Sequence, residues 1–170
     1  GANLLKSPVL RDGELTLRVL RYRDKDIWTQ VRRINNEWLT PWEATRPEHI
    51  DSSPLPSYVQ MVAHQKREAK AGRLFAMGIW IADGKDERFI GQITLGGIVY
   101  GAYRGGYIGY WIDQRYSNRG YTTRAVKLLT KFAFEKLQLH RIEIAVRPEN
   151  DASIKVAEKA GYIREGERLR

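Results

Sequence analysis

One segment concentrates the residue types and spacing that can do chemistry: Tyr110-Trp111-Ile112-Asp113-Gln114-Arg115-Tyr116-Ser117-Asn118-Arg119-Gly120-Tyr121-Thr122-Thr123. A strand-like apolar run gives way to a short polar loop, and Gly120 stands at the mouth of a long helical pattern. The first backbone N–H groups of a helix have no internal partner, and the helix dipole adds partial positive charge there. Glycine lets a phosphate come close to that backbone. Arg115, Arg119, Arg124 and Lys127 add formal charge nearby, which makes a diphosphate the natural ligand of such a junction. The plainer alternative, that Gly120 only permits a strand-to-helix turn, fits these local features equally well. The glycine-rich patterns of P-loops and of dinucleotide-binding folds are both absent here.

The elements that must position this junction follow from periodicity. Leu15 to Leu20 alternates and reads as a first strand. Residues 24–36 place Ile27, Trp28, Val31 and Ile34 at helical spacing. Pro41, Pro47, Pro54 and Pro56 mark residues 41–56 as a structured loop, in which Trp42 is expected to line a groove. A helix over about 57–71 is followed by strand candidates at 74–82, 89–100 and 106–112, whose short turns predict an antiparallel meander. Residues 122–137 then show an apolar helical face, 141–147 alternate as a strand, and 150–160 read as a short capped helix ending at Gly161. Tyr162 and Ile163 open one more strand. The predicted class is α+β, with a mostly antiparallel sheet and one helical crossover late in the chain.

Composition narrows the function classes. The 170 residues, 42% hydrophobic with five Trp, nine Tyr and four Phe, suffice for one domain with a real core, so disorder is excluded. No run approaches the roughly 18 apolar residues of a membrane span. There is no cysteine, hence no disulfide, no thiolate metal site and no Cys nucleophile, in keeping with a cytoplasmic protein. His49, His64 and His140 lack ligand spacing, so no metal is expected. The formal net charge of +9 calls for an anionic partner. Its dispersal along the chain, and aromatics patterned for strand packing, make nucleic acid an improbable one.

The junction resembles the acyl-CoA-binding motif of the GNAT superfamily of N-acetyltransferases, of the form Q/R-x-x-G-x-G/A. Gly120 matches; Ser117 stands for the Gln or Arg, Asn118 for the usual second glycine and Thr122 for the last small residue. Downstream, Asn150-Asp151-Ala152-Ser153 and Glu158-Lys159-Ala160-Gly161-Tyr162 are similar to the N-x-x-S…G-F/Y signature of these enzymes. Within the superfamily the chain most resembles the RimJ/RimL branch of ribosomal-protein N-terminal acetyltransferases. Leu15 to Arg18, Leu39-Thr40-Pro41-Trp42-Glu43, Tyr107 to Ile112 and His140-Arg141-Ile142 carry that likeness, which spans about residues 14–166.

The resemblance implies a single GNAT-like domain over 1–170, lacking the family's final strand pair after 170. It implies a twisted, mostly antiparallel sheet with a splayed parallel strand pair, flanked by about four helices. Acetyl-CoA would be the cosubstrate. Trp111, Ile112 and Asp113 would offer backbone to its pantetheine arm, Asn118, Arg119, Gly120, Tyr121, Thr122 and Thr123 would hold the pyrophosphate, and Asn150 would bond the pantetheine amide. Glu43 and Tyr107 are candidates for the base and Ser153 for the proton donor to the thiolate, although a solvated carboxylate, a sheet-packing aromatic and a first-turn serine are their ordinary readings. The implied acceptor is an amine, foremost a protein N-terminus such as that of a ribosomal protein. An α-amine with pKa near 7.7–8.0 is about 10–20% neutral at pH 7, against well under about 0.1% for lysine, so it asks only for a modest base. A small-molecule amine, or a non-catalytic basic module binding CoA or nucleic acid, are the competing readings. The sequence leaves the acceptor's identity and the oligomeric state open.

Overall fold

The computed structural model describes residues 7–43 and 57–144, with two short strands at 164–165 and 168–169. A six-stranded sheet forms the body, in the order β1 (Val9–Asp12), β2 (Leu15–Val19), β3 (Phe75–Asp83), β4 (Asp86–Val99), β5 (Gly105–Ile112) and β6 (Arg141–Ile144). Every neighbouring pair from β1 to β5 is antiparallel, and β6 alone joins in parallel. Parallel pairing demands a crossover, which α4 (Tyr121–Glu135) supplies. Four α-helices are described: α1 (Lys25–Ile34), α2 (Asn36–Glu43), α3 (Tyr58–Lys70) and α4. The mixed sheet with its parallel pair is the predicted class. Strands β7 (Arg164–Glu165) and β8 (Arg168–Leu169) form a separate small hairpin.

Alternation along the strands explains why both sheet faces are covered. Leu15, Leu17, Ile79, Ile93, Ile108, Ile112, Ile142 and Ile144 share one buried cluster with Ala125, Val126, Leu129 and Ala133 of α4. Trp80 and Phe89 pack instead with Leu20, Val31 of α1 and Tyr58 and Val62 of α3, with Trp28 and Trp111 at the margin. Successive strand residues point to opposite faces, so Ile79 and Trp80 necessarily serve different layers. At about 25 cal/mol per Å² of apolar surface, these two clusters dominate the stability of the fold.

Two elements depart from the sequence reading. Strand β1, only four residues and largely exposed, carries no alternation to announce it; it forms because β2 offers an edge. The expected proline-rich loop starts later than predicted, because α2 runs through Pro41 to Glu43. Tertiary anchors outweigh the proline there: Leu39 is buried, and the Trp38 indole N–H donates to the Ile112 carbonyl at 3.1 Å. The side chains of Trp42 and Glu43, and the predicted helix over 150–160, lie outside the described residues.

Candidate active site at the strand-to-helix junction

Strand β5 ends in a turn held from within. The carboxylate of Asp113 is wholly buried and accepts from the backbone N–H of Arg115 at 2.9 Å and from its Nη2 at 2.7 Å. Burial pushes this carboxyl up, but the hydrogen bonds and charge of Arg115 outweigh it and hold the group below the usual carboxylate value. Asn35, at the end of α1, accepts from the Gln114 N–H at 2.8 Å while donating to the Val31 carbonyl at 2.9 Å. The turn is thus tied to α1 as well as to itself. Tyr116 is buried beneath it, its hydroxyl accepting from Arg88 Nη1 at 2.8 Å.

Beyond Ser117 the backbone turns left-handed twice. Asn118 lies at φ 61° and Gly120 at φ 84°, both left-handed, flanking Arg119. Asparagine tolerates this region better than most residues, so it can stand where the family has glycine. The first α4 hydrogen bond runs from Arg124 N–H to the Gly120 carbonyl, leaving the N–H groups of Tyr121, Thr122 and Thr123 without helical acceptors. Gly120, as the N-cap, has no side chain to cap them, and none of the described residues does so. A Cβ built on Gly120 meets nothing within 4 Å, so an approach to these donors is open. The donor set is that of an anion cradle, and it fits a diphosphate. Thr122 is buried and offers the cradle its backbone; Thr123 and Tyr121 are half-buried at its rim.

The cationic surround differs in part from expectation. Arg119 stays exposed, its guanidinium 5.4 Å from the centre of the Tyr116 ring, and Arg115 lies 6.0 Å from the same ring. Arg124 does not serve the cradle: it points to β1 and β2, bonding Asp12 at 3.0 Å and Glu14. A helix residue three positions past the N-terminus can face either way, and two carboxylates settle it. Arg88, which no local pattern singles out, joins the site from β4, 28 positions before Tyr116.

The backbone of the three strand residues is divided. Asp113 N–H donates to the Ile90 carbonyl at 2.7 Å, and the Trp111 carbonyl faces β4 so closely that a Cβ on Gly91 would come to 2.4 Å from it. Both backbones are therefore directed to β4. Ile112, between them, turns the other way, towards the edge where the described pairing with β6 ends at Ile108–Ile144. Tyr107 is 46% exposed and sits opposite Gly96 and Glu143. At about 3.3 Å per residue it lies roughly 20 Å along β5 from Asp113, so the structure does not bring it together with the cradle. Asn150 and Ser153 lie outside the described residues.

On the face of β5 that carries Trp111, three side chains form a unit. The Gln92 carbonyl oxygen accepts from the indole N–H of both Trp28 and Trp111, at 3.4 and 3.3 Å. Two indoles can only donate, which fixes the amide orientation and holds both rings in place. Gln92→Leu is expected to cost about 1–2 kcal/mol, by stranding two half-buried indole donors. Urea denaturation at neutral pH measures it; an unchanged midpoint would remove Gln92 from this role.

Among the described residues no helix is long and apolar enough to cross a membrane. A family model described as an acetyltransferase (GNAT) domain matches residues 14–163. The probable N-acetyltransferase YjcK of Bacillus subtilis is 42% identical over 92 residues, covering 54% of this chain and 50% of that protein. This chain therefore spans about half of that relative's length. The ribosomal protein uS5-alanine N-acetyltransferase of Escherichia coli is 27% identical over 146 residues, 84% of this chain and 73% of the relative. Among solved structures, Mycobacterium smegmatis RimJ in complex with CoA-disulfide superposes with a TM-score of 0.77 at 33% identity, covering 94% of this chain and 76% of that one.

Proposed function

The chain belongs to the GNAT acetyltransferase family, and from that premise we propose that it transfers an acetyl group from acetyl-CoA to an amine, foremost the N-terminal α-amine of a protein. The observation that carries the CoA half of this reading is the cradle at 118–123, with its left-handed Asn118 and Gly120, its three unpartnered helix N–H groups and the open space at Gly120. Bound there, acetyl-CoA supplies an activated acyl group. This chain's part is to hold and to exclude. Tyr121, Thr122 and Thr123 N–H groups hold the diphosphate, with Arg119 beside them. The outward N–H of Ile112, whose carbonyl already takes the Trp38 indole, receives the pantetheine arm, and Trp28, Trp38 and Trp111 keep water from the acceptor side. Asn150 as pantetheine ligand, Ser153 as proton donor and Glu43 as base complete the proposal from the sequence. Tyr107 is the other candidate for the base; the base acts at the thioester, which the pantetheine arm carries away from the diphosphate, so its distance from the cradle does not count against it. RimJ in its CoA-disulfide complex supports the cosubstrate, and the uS5-alanine enzyme supports a protein acceptor, a ribosomal protein among them. A cytoplasmic setting goes with this reading, as it does with a chain free of cysteine.

A thermal-shift titration with acetyl-CoA, CoA and a short oligonucleotide, followed by thiol release with a panel of peptides, tests the whole. Stabilisation by CoA and turnover on peptide N-termini is the expected result. Stabilisation by oligonucleotide alone would overturn it, and CoA binding without turnover on any amine would leave a binding protein.

A further inference from the structure

Gln92 is a buried polar residue whose donor half the fold does not use. It stands on β4 between its register partners Gly78 of β3 and Trp111 of β5, and is 9% exposed. The two indoles that donate to its oxygen turn its amide nitrogen the other way. That nitrogen donates to no acceptor among the described residues, yet it is not sealed into the core. The orphaned polar atoms enclosed there are Gln65 Oε1 and Trp80 Nε1. Burying an amide without using its donors costs free energy, so a carboxamide fixed in this way is ready for an acceptor from outside the chain. Arg32 of α1 lies across the same indoles, 5.0 Å from the centre of Trp111 and 5.8 Å from that of Trp28, and completes the wall they form.

The sheet beside this donor is open on one flank. Register partners point to the same side of a sheet and residues two apart share a face, so Gln92, Thr94, Gly109 and Trp111 form a square on the face of the two indoles. Thr94 and Gly109 are half-buried, and a Cβ built on Gly109 meets nothing within 4 Å. The other flank is covered, since a Cβ on Gly78 would come to 2.5 Å from the Trp80 indole nitrogen. A group lying over Gly109 is diagonal to Gln92, within reach of a long side chain. Gly109 also follows Ile108, where the described pairing of β5 with β6 ends. The open floor thus meets the edge of β5 whose Ile112 N–H receives the pantetheine arm in the reading above. An amine crossing that floor would face the thioester with its own first carbonyl towards Gln92.

We infer that Gln92 binds the acceptor: its outward N–H donates to the carbonyl of the acceptor's first residue. It thereby selects an amine with a carbonyl on its α-carbon, as a peptide N-terminus has, over a plain alkylamine. This inference rests on the N-acetyltransferase reading above and adds the group that recognises the acceptor. The test uses a tripeptide with a free N-terminus and a twin whose first amide bond is replaced by a trans-alkene, which keeps the shape and removes the carbonyl. Both are titrated by calorimetry into the full chain, with and without CoA. Gln92→Glu keeps an oxygen for both indoles and replaces the outward donors with a second acceptor. The twin's amine is the more basic, so the pair is compared between wild type and Gln92→Glu, where basicity cancels. The tripeptide's advantage over the twin is expected to fall about tenfold in the variant, while CoA affinity holds. Gly109→Val, whose side chain enters open space on a strand, is expected to weaken tripeptide binding by about as much, and it serves as the test should the glutamate variant not fold. An advantage absent in wild type or surviving in Gln92→Glu, no binding of the tripeptide, or unmoved affinity in Gly109→Val would each overturn it. Failure of the underlying reading looks different: no CoA binding, or no thiol release with any amine, beside a tripeptide advantage that still depends on Gln92. Loss of that dependence overturns the inference whether or not acetyl transfer occurs.

Discussion

Gly120→Val is expected to weaken CoA binding by about 100-fold or more, equivalent to roughly 2.7 kcal/mol, while leaving the chain folded. Two physical terms combine. Gly120 sits at φ 84°, a region that costs an L-residue about 1–2 kcal/mol and a β-branched one more. A side chain there would also fill the space now open over the α4 N-terminus, between a phosphate and the N–H groups of Tyr121, Thr122 and Thr123. Gly120→Ala separates the two, because it carries the strain with far less bulk. Isothermal calorimetry with CoA on both variants, with thermal unfolding as the control, measures each part. Unchanged affinity in the valine variant would refute this placement of the diphosphate.

The second large effect is on the turn that presents the cradle. Asp113→Ala is expected to cost about 3 kcal/mol at pH 7, because it removes every acceptor that the buried carboxylate gives Arg115 and leaves a hole within a packed turn. The loss should depend on pH in a definite direction. Arg115 holds the folded-state carboxyl below its unfolded value of roughly 3.9, against the upward push of burial. A depressed carboxylate contributes stability that is complete above the unfolded value and disappears as pH falls through the folded one. The gap between wild type and variant should therefore be full near neutrality and narrow below about pH 4. Urea denaturation of both proteins at pH 7 and at pH 3.5 reads this, and a gap that widens on acidification would contradict the assignment. Because the same turn leads into Asn118 and Gly120, Asp113→Ala should also lower CoA affinity more than its distance from the phosphate suggests.

These expectations differ in how far residue order alone could have led to them. The Gly120 effect was legible: a glycine between a polar loop and an apolar helical face is a local signal, and the backbone obeys it. Helices α1, α3 and α4 and strands β2 to β6 were legible for the same reason, since burial periodicity is written into each segment. The Asp113–Arg115 anchor was not read as one, because adjacent charges in sequence look alike whether solvated or buried, and only the layers over β5 decide. Arg124 shows the converse. Its place at the mouth of α4 suggested a phosphate ligand, yet Asp12 and Glu14, more than 100 positions earlier, draw it to the far side. Helix α2 was hidden by Pro41, whose local veto yields to the contacts of Trp38 and Leu39.

By itself, then, the amino-acid sequence determined the class of fold, the order of its elements apart from β1 and α2, the family and the place of Gly120 at the mouth of α4, most of which depend on neighbours within a turn or two. The tertiary structure decided which cations face that cradle, which strand backbone turns outward, and how Gln92 assembles Trp28, Trp111 and Arg32 into one wall. The division has a simple cause. A helix terminus or a left-handed glycine acts through covalent neighbours a few ångströms away, whereas the partner of a charged or indole side chain is whatever the packed sheet brings within about 3 Å, however far along the chain it lies.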